Sequence, residues 1–226
     1  MESYEIKVIA RIRTDFTEKF GVPRQSGLIP ELRGRIVFEP EYRNPDAVRG
    51  LEDFSHLWLI WQFSKAVRDT WSPTVRPPRL GGNARMGVFA TRSPFRPNAI
   101  GLSSVEIEKV EIDHEFGPVI HVRGADLMDG TPIFDIKPYI SYADSHPDAV
   151  CGWTAGVDRP LLTVECDPVL LDKLPAESRE SLLAVLANDP RPRYQDDPER
   201  IYGMAFGGMN VKFRVAGERL TVVGID

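Results

Sequence analysis

The sequence predicts a mainly β protein, with a closed antiparallel β-barrel domain followed by a small α+β domain. Short strand-like segments recur through the first 150 residues, separated by proline, glycine and asparagine, and no convincing long helix lies between them. A doubly wound α/β fold would need a helix between successive strands, whereas closing an antiparallel sheet removes its unpaired edges. We therefore expect a barrel domain over residues 1–150 and an α+β domain over residues 151–226.

The strand candidates of the barrel are short and largely apolar. The first is typical of a strand with one solvated face, because apolar residues at positions 4, 6, 8, 10 and 12 alternate with mainly charged ones. Further candidates lie at residues 35–38, 57–63, 86–90, 102–110 and 119–122. Only a short helix near residues 46–51 is expected within this domain.

The second domain begins after a linker at residues 155–160. Pro175 near the start, Glu177 in the first turn and an apolar run after it predict a helix over residues 175–187. The Asn188-Asp189-Pro190 sequence ends that helix. Residues 201–223 are predicted to form two or three strands, with turns at residues 207–208 and 216–217.

Composition and short motifs exclude several classes of function. The chain has no G-x-G-x-x-G sequence and no phosphate-binding loop, so neither of these nucleotide sites is expected. Cys151 and Cys166 lack metal-ligand spacing, which favours free thiols in a reduced setting and predicts no metal site. No secretory signal and no run of about eighteen apolar residues occurs, so we expect a cytoplasmic protein without membrane contact.

Arginines concentrate in one part of the sequence, residues 68–96, which we call the basic stretch. It contains six arginines and one acidic residue, Asp69, whereas acids outnumber bases nine to five over residues 165–200. The net charge of −5 therefore hides a candidate surface for a polyanion. The same arginines are also compatible with an ordinary solvated surface.

The basic stretch ends in a proline-rich loop. Pro94 and Pro97 fix their own backbone φ angles, and Ser93 and Arg96, each preceding a proline, are biased towards extended conformations. Such a loop holds the cationic side chains of Arg92 and Arg96 in place. A plain surface connection is the alternative interpretation of this loop.

Long motifs in the chain resemble one known family. They are residues 21–28, 47–52, 54–58, 76–83, 91–101 and 126–145, with thinner similarity at 189–195 and 202–213. The chain is similar in these motifs to the TsaA-like family, whose characterised members are β-barrel, S-adenosylmethionine-dependent tRNA methyltransferases. They act on N6 of threonylcarbamoyladenosine beside the anticodon. The resemblance implies the same fold, cofactor and tRNA partner here, and a homodimer with the cofactor near the subunit boundary.

The resemblance also implies a set of cofactor-binding residues. These are Gln25, Ser26, Gly27, Phe63, Ser64, Lys65, Arg92, Leu102, Asp126, Leu127, Met128 and Asp129. S-adenosylmethionine needs an apolar slot for adenine, a cation for its carboxylate and a carboxylate or carbonyls for its ammonium, and these residue types supply all three. Ser64 stands where similar proteins often carry histidine. Taken singly, each residue also has a purely structural interpretation as core, turn or hinge.

Catalytic candidates follow the last cofactor motif. Asp135 and Lys137 would share one face of an extended segment, and Tyr142 lies shortly beyond. A ureido nitrogen attacks poorly because its lone pair is delocalised, so we predict that Asp135, aided by Lys137, orients or accepts the N6 proton. A salt bridge on the barrel rim is the alternative role for this pair.

Arginine and tyrosine side chains are the candidates for binding tRNA. Arginine suits phosphates, and arginine with an aromatic ring suits a splayed base. The candidates are Arg76, Arg79, Arg85, Arg96, Arg191, Arg193 and Tyr194, with alanine common in similar proteins where Arg193 stands. Trp58, Trp61 and Trp71 are predicted to fill the core or a dimer seam.

Two other functions remain as alternatives to a methyltransferase. A non-catalytic barrel that binds a ligand or RNA would keep the fold without turnover. A metal hydrolase built on Asp126, Asp129, Asp135 and His146 would need ligand spacing that these residues do not show.

Overall fold

The structure, a computed structural model, describes residues 2–68, 70–77, 80, 84–155, 160–191 and 197–226. The barrel strands in chain order are β1 Ala10–Arg13, β2 Arg33–Phe38, β3 His56–Gln62, β6 Ile100–Asp113, β7 Gly117–Arg123 and β8 Pro132–Pro138. A small hairpin pairs β4, Thr74–Val75, with β5, Met86–Gly87. The remaining elements are α1 Ser141–Asp144, β9 Thr163–Glu165, α2 Pro168–Leu171, α3 Ala176–Ala187, β10 Tyr202–Phe206, β11 Met209–Ala216 and β12 Arg219–Ile225.

Six antiparallel strands close into a barrel in the order β1-β2-β7-β6-β3-β8. The pairing of β8 with β1, at Ile133 and Ala10, completes the ring and leaves the sheet without a free edge. Leu57, Leu59 and Trp61 alternate with half-buried residues along β3 and point into the barrel core. The predicted fold class, a mainly β protein with a closed antiparallel barrel, is confirmed.

The first strand is shorter than the alternating sequence pattern predicts. Tyr4 and Ile6 are exposed, and β1 covers only its last four residues. The partner strand explains the difference, because β2 ends at Phe38, opposite Ala10, and Pro40 then begins a short 3-10 helix. The earlier residues have no strand of β2 left to pair with, so alternation alone does not make them a strand.

The second domain packs helices α2 and α3 onto a four-stranded sheet of order β10-β11-β12-β9. Helix α3 runs from Ala176 to Ala187 after Pro175, as predicted, and buries Leu182, Val185 and Leu186. The predicted strands of the tail are present as β10, β11 and β12. No helix among the described residues is long and apolar enough to cross a bilayer.

The connection between β1 and β2, residues 14–32, joins the two halves of the molecule. Phe16, Ile29 and Leu32 are buried in the core of the second domain rather than in the barrel. The Phe16 ring meets Phe206 edge to face with centroids 5.3 Å apart, and the Gly207 N–H donates to the Asp15 carbonyl at 2.9 Å. The second domain therefore holds this barrel loop in place.

Candidate functional site

One end of the barrel collects the segments that the sequence analysis selected. At this end β1, β3 and β7 finish and β2, β6 and β8 begin, as the pairs Arg13–Arg35, Gln62–Ile100 and Trp61–Ile133 require. We call it the site rim. Three connections leave it: residues 14–32, 63–99 and 124–131. The opposite end carries the connections 39–55 and 114–116.

All the predicted cofactor-binding residues lie on or beside the site rim. The first connection carries Gln25, Ser26 and Gly27; the second carries Phe63, Ser64, Lys65 and Arg92; the third carries Asp126, Leu127, Met128 and Asp129; and Leu102 lies near the start of β6. Residues about a hundred positions apart in the chain thus meet because antiparallel closure returns every second connection to the same end.

Asp126 is the centre of a polar network at the rim. Its Oδ1 accepts a hydrogen bond from the Ser103 hydroxyl at 2.6 Å, and the Trp61 indole N–H donates to the Ser103 oxygen at 3.0 Å. Burial raises the pKa of the Asp126 carboxyl, while the Ser103 hydroxyl, the nearby Arg92 guanidinium and the Ser26 N–H favour its charged form. The carboxyl is therefore enclosed, oriented and close to a cation.

Arg92 links two of the three connections. Its guanidinium donates to the side-chain oxygen of Gln25, while its charge lies close enough to Asp126 to influence that carboxyl. The Arg92 residue itself is exposed to solvent. An accessible cation beside an enclosed carboxyl is an arrangement that can bind a ligand carrying both charges.

The backbones of the first and third connections touch directly. The Gly27 N–H donates to the Gly124 carbonyl at 2.9 Å. A Cβ atom on Gly124 would lie 3.2 Å from the Gly27 Cα, and both glycines have positive φ angles, 73° for Gly27 and 71° for Gly124. Both positions favour glycine because a positive φ strains any other residue. At Gly124 a side chain would also push the two loop segments apart.

Apolar groups line the second connection where it leaves β3. The Trp61 and Phe63 rings lie 4.2 Å apart between centroids, and the Phe63 N–H donates to the Ala99 carbonyl at 2.9 Å. Gly101 packs under the Trp61 ring so closely that a Cβ atom there would lie 2.3 Å from it. Leu102, by contrast, points to the outer face of the barrel and is 55% exposed.

The last part of the third connection is anchored rather than open. The Asp129 carboxylate accepts from the Thr14 N–H at 3.2 Å and lies 3.5 Å from the Arg13 guanidinium. Leu127 is buried, and the Met128 carbonyl accepts from the Thr131 hydroxyl at 2.7 Å. All four predicted residues in this segment, Asp126 through its bond from Ser103, therefore also have structural partners.

Asp135 and Lys137 form an ion pair of 2.9 Å on the outer face of β8. In the strand register Ile60 lies between Leu102 on one side and Asp135 on the other, so the three side chains share a face of the barrel. Tyr142 follows β8 on α1, away from the site rim, and is 90% exposed. The structure thus brings Asp135 and Lys137 together, near Leu102, and leaves Tyr142 apart.

The predicted tRNA-binding residues fall into different environments. Arg76 and Arg85 are exposed next to the β4–β5 hairpin. Arg96 donates to the Thr91 carbonyl at 2.7 Å, and Arg191 pairs with the Asp189 carboxylate at 2.8 Å, so both guanidinium groups already have partners within the chain. Arg79, Arg193 and Tyr194 lie outside the described residues.

Ser103 is a site residue that the sequence reasoning missed. It is buried on β6, in a position that alternation assigns to the barrel interior, and it connects Trp61 to Asp126. A polar residue at an inward position of a strand is a signal that could have identified it, because buried hydroxyls need partners. Among the described residues, no group of three or more histidine, cysteine or acidic side chains could hold a metal ion.

The chain is similar to known proteins over most of its length. A sequence profile of the tRNA-methyltransferase O N-terminal domain matches residues 11–145, and one of the TrmO C-terminal domain matches residues 161–226. The tRNA (adenine(37)-N6)-methyltransferase of Escherichia coli (strain K12) is 42% identical over 241 residues, covering 100% of this chain and 99% of the relative. The protein of the same description from Eikenella corrodens is 47% identical over 162 residues, covering 72% of this chain and 91% of the relative.

Solved structures show the same similarity. A crystal structure of TrmO from Pseudomonas aeruginosa has a TM-score of 0.79 at 32% sequence identity and covers 100% of this chain and 98% of its own. The barrel fold and the family profile together define a methyltransferase of the β-barrel class. More particularly, the chain belongs to the tRNA-methyltransferase O family, whose two domain profiles together span most of its length.

Proposed function

We propose that the protein transfers a methyl group from S-adenosylmethionine to N6 of adenosine 37 in tRNA that already carries threonylcarbamoyl on that adenosine. The observation that carries the proposal is the convergence of three barrel connections on Asp126 and Arg92 at one rim. Family membership supports the reaction, because the relatives are tRNA (adenine(37)-N6)-methyltransferases.

The residues at the rim fit S-adenosylmethionine. Arg92 offers a cation to the cofactor carboxylate, Asp126 offers an anion to its ammonium, and Phe63 offers an apolar surface to its adenine. Gly27 leaves space beside the loop backbone, since a Cβ atom there would meet no atom within 4 Å. When bound, the cofactor supplies a methyl group on a sulfonium sulfur, which is already a good leaving group.

The protein's own task is then alignment, exclusion of water and help with one proton. The three connections hold the methyl donor and the accepting nitrogen in line. The reaction then proceeds between two positioned groups rather than through a chance encounter of two molecules. Asp135 lies one strand away from Ile60 and two from Leu102 on the same face, where its carboxylate orients or accepts the N6 proton. Lys137 fixes that carboxylate through their ion pair.

Replacing Asp135 by asparagine tests the proton step. We expect kcat to fall by about a hundredfold or more, because general bases contribute about 10² to 10⁴ in rate, while cofactor binding stays unchanged. Glu111→Gln is a matched control, since Glu111 also pairs with a lysine on the barrel surface. If both variants turn over as fast as the unmodified protein, Asp135 is only a member of a surface ion pair.

Charge reversal at Arg76 and Arg85 tests the tRNA surface. We expect Arg76→Glu and Arg85→Glu each to weaken tRNA binding. Each should also reduce the slope of log affinity against log salt concentration by about one, because each lost phosphate contact releases about one counterion fewer. Arg214→Glu, at an exposed position on β11, controls for the change in net charge. Equal losses in all three variants would show that the basic stretch has no special role.

Methyl transfer from labelled cofactor into tRNA tests the function as a whole. We expect incorporation into tRNA that carries threonylcarbamoyladenosine and none into tRNA prepared without it. A non-catalytic RNA-binding barrel would bind both without transfer. A metal hydrolase would lose its activity on chelation, whereas the proposed transferase keeps it.

We also propose that the protein works as a homodimer in the cytoplasm. The support for the dimer is the outer face of β3 and β6, where Ile100 and Leu102 are exposed next to the half-buried Ile60. Two copies meeting through this face would cover the apolar strip. Sedimentation of the protein and of the Ile100→Asp variant at decreasing concentration measures the dimer directly. We expect the variant to dissociate into monomers at a higher concentration than the unmodified protein.

A further inference from the structure

Two aromatic rings of the basic stretch lie exposed on the surface. Trp71 is 51% exposed and Phe89 is 72% exposed, and their ring centroids lie 6.2 Å apart at an angle of 31°. Large aromatic side chains are normally buried, so two of them open to solvent and in contact with each other mark an interaction surface. We call Trp71 and Phe89 the aromatic pair.

The surrounding structure holds the aromatic pair in place. The β4–β5 hairpin lies between the two residues in sequence, and the Val88 N–H donates to the Pro73 carbonyl at 2.9 Å across its base. The Trp153 indole donates to the Ala90 carbonyl at 3.0 Å, next to Phe89. Arg96 donates to the Thr91 carbonyl at 2.7 Å on the same short turn. These hydrogen bonds fix the backbone that carries the two rings, which lowers the entropic cost of binding a partner.

The charged residues between the two rings and just beyond Phe89 in the sequence are all arginines. Residues 70–105 contain five arginines and neither an acidic residue nor a lysine. The hairpin pairs Thr74 with Gly87 and Val75 with Met86, and Arg76 and Arg85 directly follow and precede these paired residues. Within the described part of the chain neither arginine forms an ion pair, so both can receive an anionic partner.

We propose that the aromatic pair is a stacking surface for unpaired bases of the tRNA anticodon loop, with Arg76 and Arg85 on the phosphates beside those bases. This inference rests on the proposed function and extends it to Trp71 and Phe89. Exposed rings next to arginines suit single-stranded nucleic acid, since each base offers a flat face and each nucleotide a negative charge. Elsewhere in the basic stretch, the Arg68 guanidinium lies 3.7 Å from the Phe95 ring centroid, a contact between a planar cation and an aromatic ring.

A second copy of the chain fits this surface less well. An isologous contact would bring the Arg76 and Arg85 of both copies together, and the one acidic residue of the basic stretch, Asp69, is outnumbered by its six arginines. An apolar peptide would cover the rings but leave the arginines without a counter-charge. A polyanion with exposed aromatic bases satisfies both features at once.

Fluorescence anisotropy with a labelled anticodon stem-loop RNA, titrated at several salt concentrations, tests the inference. We expect Trp71→Ala and Phe89→Ala each to weaken binding about tenfold, because each removes the ring on which a base stacks, and to leave the salt slope unchanged. Trp71→Phe should retain most of the affinity, whereas Trp71→Leu, which is apolar but has no π face, should lose it. Tyr4→Ala, at an 81% exposed aromatic residue outside the pair, should bind as the unmodified protein does.

The outcomes separate this inference from the proposed function. If the unmodified protein transfers methyl groups but both alanine variants bind the RNA normally, the stacking surface is refuted and the function stands. The variants could also bind the RNA weakly because they no longer assemble as the unmodified protein does. If sedimentation shows such a loss of assembly, the aromatic pair is a subunit contact and the inference is wrong. Calorimetry with S-adenosylhomocysteine should give the same affinity in all variants, and a loss there would show damage to the rim instead.

Discussion

We expect the Asp126→Asn variant to fold stably and to lose most of its affinity for S-adenosylmethionine. Asparagine has the shape of aspartate, so the hydrogen bond to Ser103 can be kept while the negative charge is removed. A charge-assisted hydrogen bond is worth about 1.5–3 kcal/mol, so calorimetry should show about tenfold to a hundredfold weaker binding. Methyl transfer should fall with it at low cofactor concentration and recover partly at high concentration.

The stability of the same variant should depend on pH in a definite direction. Burial raises the pKa of Asp126 in the folded protein, so the stability that this group contributes is present below its unfolded pKa and is lost as pH rises through the folded pKa. Asparagine does not ionise and does not lose this stability. Thermal unfolding should therefore show Asp126→Asn at least as stable as the unmodified protein at neutral pH, with the difference shrinking towards about pH 4.

Asp144 provides a control with the opposite sign. The N–H groups of Ile140 and Trp58 hydrogen-bond to its carboxylate, at 2.8 and 3.0 Å, and lower its pKa. Its contribution to stability is present above the unfolded pKa and is lost as pH falls. Asp144→Asn should therefore be less stable than the unmodified protein at neutral pH and bind the cofactor normally. Equal pH profiles for the two variants would contradict the account of Asp126.

Gly101→Ala should damage both the barrel and the site. The new Cβ would lie 2.3 Å from the Trp61 ring, which is buried and cannot move without leaving its place in the core. Overpacking of this kind costs about 1–3 kcal/mol, which lowers Tm by about 2–4 °C per kcal/mol in a chain of this size. A displaced Trp61 also releases Ser103, so cofactor affinity should fall in the same variant.

Gly87→Ala is the matched control for this substitution. Gly87 is also a strand glycine, but its φ is −57° and a Cβ atom there would meet nothing within 4 Å. Its Tm and its affinity for the cofactor should be unchanged. If Gly101→Ala has the same Tm and cofactor affinity as Gly87→Ala, the close packing of Gly101 against Trp61 does not support the site.

The sequence predicts local elements of this fold better than their arrangement. Helix α3 follows from Pro175, Glu177 and an apolar run, which are all local signals. The strand order β1-β2-β7-β6-β3-β8 depends on pairs distant in the chain, and no short window contains that information. Likewise, the residues that flank Phe16 in the sequence indicate a loop. The Phe16 side chain is nevertheless buried in the core of the second domain, which no local pattern predicts.

The candidate site shows the same division. Family resemblance selected the rim residues, and the barrel places them together, but their contacts could not be foreseen: Arg92 bonds to Gln25 across two connections. Trp61 fills the core as predicted, whereas Trp71 is exposed, because the β4–β5 hairpin carries it out of the barrel. An aromatic side chain is usually buried, and the exposure of Trp71 depends on where the hairpin lies, which the sequence does not reveal.

A crystal structure of the protein with S-adenosylhomocysteine is the most direct test of the central claim that the site rim binds the methyl donor. The account predicts the ligand between the three connections, with its carboxylate on Arg92, its ammonium on Asp126 and its adenine on the Phe63 side. A ligand bound at the opposite end of the barrel, between residues 39–55 and 114–116, or no ligand at saturating concentration, would contradict it.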